Sequence, residues 1–223
     1  MSDLDSAIKA YYATRAPYYD DVYDKPERRN DLAFLKRHLP SRFAGQSVIE
    51  VACGTGYWTQ YIAPVASRLV ATDALAEPLD FAKQRPGVER VQFLQADAYS
   101  LPAELGKFQA AYAGLWFSHV PIERRPEFLT SLHHLLLPGA TVIFLDNSEV
   151  QCREHPIVKR DAHGNTYQDR RLRDGSVHRV LKNFPSETEL RQMVADAAKA
   201  ASYKALENFW LFEYVLAGDR GTP

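Results

Sequence analysis

The chain has 223 residues, 46% hydrophobic and 25% charged, enough to bury a substantial core without a disulfide framework or a structural metal. Its formal net charge is −1 at pH 7 and no run of Lys or Arg exceeds two residues, which sets nucleic acid aside as the main partner. Cys53 and Cys152 form no CxxC pair, the start MSDLDSAIKAYY has no apolar leader, and no stretch approaches the ~20 apolar residues of a membrane span. The expectation is one soluble, cytoplasmic domain over residues 1–223, with no membrane partner.

In chain order, residues 11–29 (YYATRAPYYDDVYDKPERR) carry five tyrosines and three arginines, the make-up of an amphipathic helix packing on a domain. Lys25 and Arg28 in it read equally well as solvent charges. Short apolar runs at 46–52, 68–72, 90–95, 109–115 and 140–146 read as strands. Helical patterns at 57–65, 75–84 and 123–137 separate them, the last stopping at Pro138-Gly139. That alternation predicts a parallel sheet with crossover helices. The rhythm then changes: residues 166–182 place Asp174-Gly175 between two strand-like arms, a hairpin signal. Ser186 and Glu189 form a capping box that opens a helix running to about 199, and residues 208–217 read as a last strand.

The first strand runs into VIEVACGTG. Ligands of open parallel sheets bind beyond the carboxyl ends of the strands, and glycines there let the backbone approach a ligand or take positive φ. The turn has no lysine for a P-loop, and Thr59 stands where a dinucleotide fingerprint needs its third Gly or Ala. Acidic residues follow at successive strands: Glu50 inside the first, Asp73 ending the second, Asp97 after the third. Each alone is an ordinary strand-end residue; together they bracket one crevice. Ionised carboxylates only accept hydrogen bonds, so Asp73 suits ribose hydroxyls and Asp97 an exocyclic amine.

The stretch Glu50-Val51-Ala52-Cys53-Gly54-Thr55-Gly56 resembles the [E/D]xGxGxG motif of class I S-adenosylmethionine (SAM)-dependent methyltransferases, with Ala52 in place of the first glycine. Asp73, Ala96-Asp97-Ala98 and LHHLLLPGATVIFLDN continue the resemblance over roughly residues 45–147. It implies an α/β fold: a Rossmann-like, doubly wound, mostly parallel seven-stranded sheet with helices on both faces and an antiparallel last strand. Added to it would be an N-terminal helical lid (1–44) ahead of the SAM-binding core (45–147). A substrate cap with an extra β-hairpin and the C-terminal strands would fill 148–223. By the same resemblance Asp73 and Ala74 flank the ribose, Asp97 and the Ala98 amide hold the adenine, and Ala52, Gly54 and Gly56 carry the methionine part. Glu50 orders that loop, and the Leu115 carbonyl region takes the amino group. The Yxx(R)AxxYD-like segment would place Arg15 at the methionine carboxylate and Tyr19 with its hydroxyl near that carboxylate or its ring by the sulfonium, with Tyr19 a candidate catalytic residue.

After the fourth strand, Trp116 and Phe117 are candidate substrate contacts and His119 the candidate general base, with a packing role for His119 as the competing reading. Asp146 and Asn147 match a magnesium pair of metal-dependent relatives, but no acid follows the fourth strand before Glu123, so no metal is expected and the two become candidate substrate contacts, with a structural cap as the other reading of Asp146. The basic hairpin, with Arg170, Arg171, Arg173, Arg179 and Lys182, reads as a clamp for an anionic or aromatic substrate, as a dimer contact, or as a solvated ribbon. The expected function is methyl transfer from SAM to an N, O or S atom of a small molecule, by a monomer or homodimer. The alternatives are a non-catalytic SAM-binding protein and a nicotinamide-dependent oxidoreductase.

Overall fold

A computed structural model describes residues 10–218; residues 1–9 of the expected lid and the last five residues lie outside the described residues. Strands β1 (Ser47–Val51), β2 (Arg68–Asp73), β3 (Gln92–Gln95), β4 (Phe108–Gly114) and β5 (Leu136–Asn147) are joined later in the chain by β9 (Ala198–Ala205) and β10 (Phe209–Leu216). They form a seven-stranded sheet in the order β3-β2-β1-β4-β5-β10-β9. The pairs among β1 to β5 are parallel, whereas β10 runs antiparallel to both β5 and β9. Strand order reverses between β1 and β4, which puts the switch-point crevice beyond Val51 and Gly114.

Alternation along each strand divides the core into two layers. Val48, Ile143, Leu145 and Phe209 face one side, where they pack with Leu35, Leu39 and Phe43 of helix α1 (Arg29–Phe43) and Ile62 of α2 (Thr59–Ile62). Ile49, Val142, Phe144 and Trp210 face the other, against Phe128 and Leu132 of α4 (Arg125–His134) and Leu190 of α5 (Glu187–Val194). Helix α3 (Ala76–Ala82) adds Leu79 and Ala82 beside β2. Among the described residues no helix is long and apolar enough to cross a membrane.

Four expectations are corrected. The helix opened by the Ser186 capping box ends at Val194, and the alanine-rich residues after it form edge strand β9; pairing with β10 overrides the helix propensity of alanine. The helix expected to run to Pro138-Gly139 ends at His134, and those residues lie inside β5, where Gly139 takes φ +83. The helix expected over 57–65 is only the single turn α2. The hairpin is larger than expected: β7 (Thr166–Arg171) and β8 (Val177–Leu181) are joined by β6 (Ile157–Arg160) into a three-stranded antiparallel sheet.

This cap is fastened to the domain at its base. Asn183 donates to Asn165 at 3.0 Å and to the Val120 carbonyl, and Asn165 accepts from the Ile122 amide at 2.8 Å. The lid, helical at 10–15 and continuing as a 3-10 helix at Ala16–Val22, lies against the cap: Tyr11 packs on Leu172 and Val180, and Arg173 pairs with Asp21 at 2.6 Å.

Candidate active site

The chain leaves β1 through three residues with positive φ, Ala52 (+54), Gly54 (+56) and Gly56 (+74), and leaves β4 through Leu115 (+56). Ala52 and Leu115 are the two non-glycine residues in that region among the described residues, and both line one cavity at the switch point. Such a conformation costs about 1–3 kcal/mol per residue and persists only where the surroundings impose it. The Gly54 amide donates to Asp73 Oδ2 at 2.9 Å and the Leu75 amide to Oδ1 at 2.9 Å, so Asp73 ties the turn to the end of β2. Burial raises the Asp73 carboxyl above its usual range, with these amides pulling the other way.

Glu50 and Gly56 do not line the cavity. Glu50 is buried beneath the turn and accepts the Thr59 hydroxyl at 2.7 Å; burial pushes its carboxyl up to about 8, against the opposing pull of that hydrogen bond. Thr59, the residue that breaks the dinucleotide pattern, thus clamps the start of α2 to β1. A Cβ on Gly56 would lie 2.9 Å from both Cα and Cβ of Ala82, so this glycine lets α3 approach the turn.

The cavity has a volume of about 790 Å³. Ala52, Gly54, Asp73, Ala74, Asp97, Ala98 and Leu115 all line it. Asp97 Oδ1 accepts from the Tyr99 amide at 3.0 Å. Trp116 lines the same cavity, near Tyr99 and edge-on to Phe128 at 4.8 Å, beside Asp97.

A second cavity of about 240 Å³ lies between the lid, β7 and β8. Tyr12, Tyr19, Leu115 and His119 line both cavities and mark where they meet. His119 Nδ1 lies 2.6 Å from the Leu181 carbonyl, so that nitrogen carries the proton and Nε2 accepts from the Tyr12 hydroxyl at 2.7 Å. Burial, reinforced by Lys182, drives the imidazole well below its usual range. His119 is therefore neutral, with both ring nitrogens engaged by Tyr12 and Leu181, the arrangement of the packing role. The Tyr19 ring lies 5.0 Å from the Arg15 guanidinium, and burial pushes its hydroxyl up to about 12.

Arg15, expected at the cofactor's carboxylate, lines the smaller cavity and not the larger. Asn147 also borders the smaller cavity, its Oδ1 buried without a partner. Two expected substrate contacts are not exposed to either cavity: Phe117 is in the core, stacked on Phe144 at 5.0 Å, and Asp146 is fully buried with Lys182 Nζ 2.8 Å away. Among the described residues no cluster of His, Cys, Asp and Glu could hold a metal ion. Sequence reasoning passed over Tyr12, whose hydroxyl meets His119, and over Arg28, which is only 4% exposed and lines the smaller cavity.

Residues 48–139 match the family described as "Methyltransferase domain". The chain is 30% identical over 156 residues to the 2-phytyl-1,4-naphtoquinone methyltransferase of Thermosynechococcus vestitus, covering 65% of this chain and 66% of that protein. The chain spans less than two thirds of the length of that relative and of a demethylmenaquinone methyltransferase of Lactococcus lactis, where the share is 43%. In three dimensions it resembles the DhpI-SAH complex structure with a TM-score of 0.79 and 27% identity over 97% of this chain and 98% of that one. The DhpI-SAM-HEP complex is similar at a TM-score of 0.78 and 26% identity, over 96% of this chain and 99% of that one. The residues present fit the cofactor of those complexes: the larger cavity is of ligand size, Asp73 and Asp97 supply acceptors at the ends of β2 and β3, and the Ala52–Gly54 turn is bare of side-chain bulk. With the seven-stranded sheet and its switch-point cavity, the chain belongs to the class I S-adenosylmethionine-dependent methyltransferases.

Proposed function

We propose that the chain transfers a methyl group from SAM to a small molecule seated in the smaller cavity. The supporting observation is that the two cavities meet at Tyr12, Tyr19, Leu115 and His119, so a donor in one faces an acceptor in the other. The cofactor supplies a methyl group on a sulfonium sulfur, open to in-line displacement. On the protein's side, Asp73 receives the ribose hydroxyls, Asp97 and Ala98 the adenine, and the Ala52–Gly54 turn and Leu115 the amino acid end. Tyr19 stands at the junction, where an aromatic face beside a cation is worth about 0.5–2 kcal/mol. The lid keeps water from the junction and fixes the acceptor; such positioning contributes roughly 7–11 kcal/mol to a bimolecular reaction.

Neutral His119, engaged at both nitrogens, supports a reaction that relies on positioning and on an acceptor atom that arrives with a free lone pair. Free thiols at Cys53 and Cys152 accord with a reducing, cytoplasmic setting. Titration calorimetry tests the reading. S-adenosylhomocysteine should bind the intact chain, and Asp73→Ala should weaken it by about 1 kcal/mol or more, as expected when hydrogen bonds to a charged group are lost. Binding of a nicotinamide dinucleotide without S-adenosylhomocysteine would sink the reading in favour of an oxidoreductase. Binding of S-adenosylhomocysteine without turnover of SAM on any acceptor would favour a non-catalytic role.

A further inference from the structure

The smaller cavity is unbalanced in charge. Seven Lys and Arg side chains line it against two carboxylates, Asp21 and Glu154. Both carboxylates are taken: Arg173 pairs with Asp21 at 2.6 Å and Lys25 pairs with Glu154. Lys182 is matched from below by Asp146 at 2.8 Å. Arg15, Arg28 and Arg170 are buried or half-buried, and none has a carboxylate partner among the described residues.

What holds these three is weaker than an ion pair. Arg15 donates to the Tyr11 hydroxyl at 3.2 Å, Arg170 to Gln168 Oε1 at 2.6 Å, and Arg28 to the Val22 carbonyl at 3.0 Å while its buried Nε has no acceptor. Burial lowers the Arg28 and Arg170 guanidinium groups from their usual range, yet arginine keeps its charge in proteins. A cation taken from water without a partner is destabilising, so three converging on one cavity call for an anion from outside. They come from three separate elements: Arg15 from the lid, Arg28 from the residue before α1, and Arg170 from β7. Guanidinium forks recognise oxyanions through paired N–H donors, and several forks from different directions suit a group with several terminal oxygens.

We propose that the smaller cavity recognises a compact oxyanion carried by the methyl acceptor, a phosphate- or phosphonate-type group or a carboxylate, through Arg15, Arg28 and Arg170. A volume of about 240 Å³ confines that acceptor to a small molecule. The junction at Tyr12 and Tyr19 then sets the anion across from the methyl donor. This assignment of the ligand as acceptor rests on the methyl-transfer reading; the anion site itself does not.

The test uses the full chain, with and without saturating S-adenosylhomocysteine, at constant ionic strength. Inorganic phosphate, methylphosphonate and acetate are titrated by calorimetry into the wild-type chain and into Arg170→Gln, Arg15→Gln and the charge-keeping Arg170→Lys. At least one oxyanion should bind. Each Gln variant should weaken it about tenfold or more, with Arg170→Lys in between, and S-adenosylhomocysteine affinity should stay within about twofold. Tighter binding of the phosphorus oxyanions assigns a tetrahedral group, and tighter binding of acetate a carboxylate. The proposal is overturned if no oxyanion binds, if both Gln variants bind like the wild type, or if uncharged catechol occupies the cavity with affinity indifferent to the variants. Failure of S-adenosylhomocysteine to bind would overturn the methyl-transfer reading separately, since anion binding is also read without it.

Discussion

Replacing Lys182 with Met should destabilise the chain by several kcal/mol. Lys182 follows β8 with 2% of its surface exposed, its Nζ 2.8 Å from Asp146 Oδ1 and 2.5 Å from the Ser118 hydroxyl. Asp146 is 0% exposed, and without the ammonium it keeps the backbone amides of Ser118 at 2.9 Å and Asn147 at 2.8 Å and a longer bond from Asn147 Nδ2 at 3.4 Å. Removing one partner of a buried ion pair typically costs about 3–5 kcal/mol, and these remaining charge-assisted hydrogen bonds put the expected loss near the lower end, about 3 kcal/mol. Urea unfolding followed by circular dichroism measures this against a total stability on the order of 5–15 kcal/mol. Removing the orphaned carboxylate as well, in Lys182→Met/Asp146→Leu, should recover about 2 kcal/mol or more, because an apolar pair carries no desolvation penalty. A loss below about 1 kcal/mol for the single variant, with nothing recovered in the double, would show that the pair is not coupled and refute the reasoning. Acid gives an independent reading. Burial pushes the Asp146 carboxyl up, but the Lys182 ammonium beside it, helped by the Ser118 amide that donates to it, holds it below the usual 3.8. A carboxylate with a depressed folded value stabilises above its unfolded value and loses that contribution as pH falls through the folded one. The wild type should thus weaken progressively below about pH 4, and Lys182→Met should show a smaller dependence there.

Glu50 has the opposite sign: its folded value of about 8 exceeds the ordinary 4.5, so the native state holds the proton at neutrality. Its contribution is fully present below the unfolded value and lost as pH rises through about 8. Glu50→Gln, which retains an acceptor for Thr59, should flatten the decline in melting temperature between these limits; a slope identical to the wild type would contradict the protonated form. Gly56→Ala should cost about 1–3 kcal/mol, because its Cβ would meet Ala82 at 2.9 Å on a backbone at φ +74. Gly54→Ala, at a similar φ but with open space around it, should cost less in thermal unfolding; equal costs would deny Gly56 its packing role.

Strands of the parallel half of the sheet were legible because β-branched runs alternate with helical patterns and end beside small or acidic residues. The turn around Gly54 and the strand-end Asp73 and Asp97 were legible for the same reason, since the switch point draws its residues from strand ends. What sequence did not yield depends on contacts between distant segments. The alanines of β9 prefer a helix until β10 offers them an edge, and Pro138-Gly139 enters β5 because Leu136 and Thr141 find partners in β4. Phe117 and Asp146 looked like pocket residues from their places after β4 and in β5; stacking on Phe144 buries one, and Lys182 from the base of the cap buries the other. Arg28 read equally well as a solvent charge because nothing local distinguishes an arginine packed over Phe209 of β10 and bonded to the Val22 carbonyl from one that water surrounds.

The lid tyrosines described above belong to two walls at once. Tyr12 and Tyr19 border both cavities, Tyr12 is held by His119, and Tyr11 beside them is packed into the cap. A displacement of the lid that lets a ligand into either chamber reshapes the other, so occupancy of one becomes a thermodynamic variable of the second. The two affinities are then linked, and whatever factor the first ligand exerts on the second is returned unchanged by the second on the first.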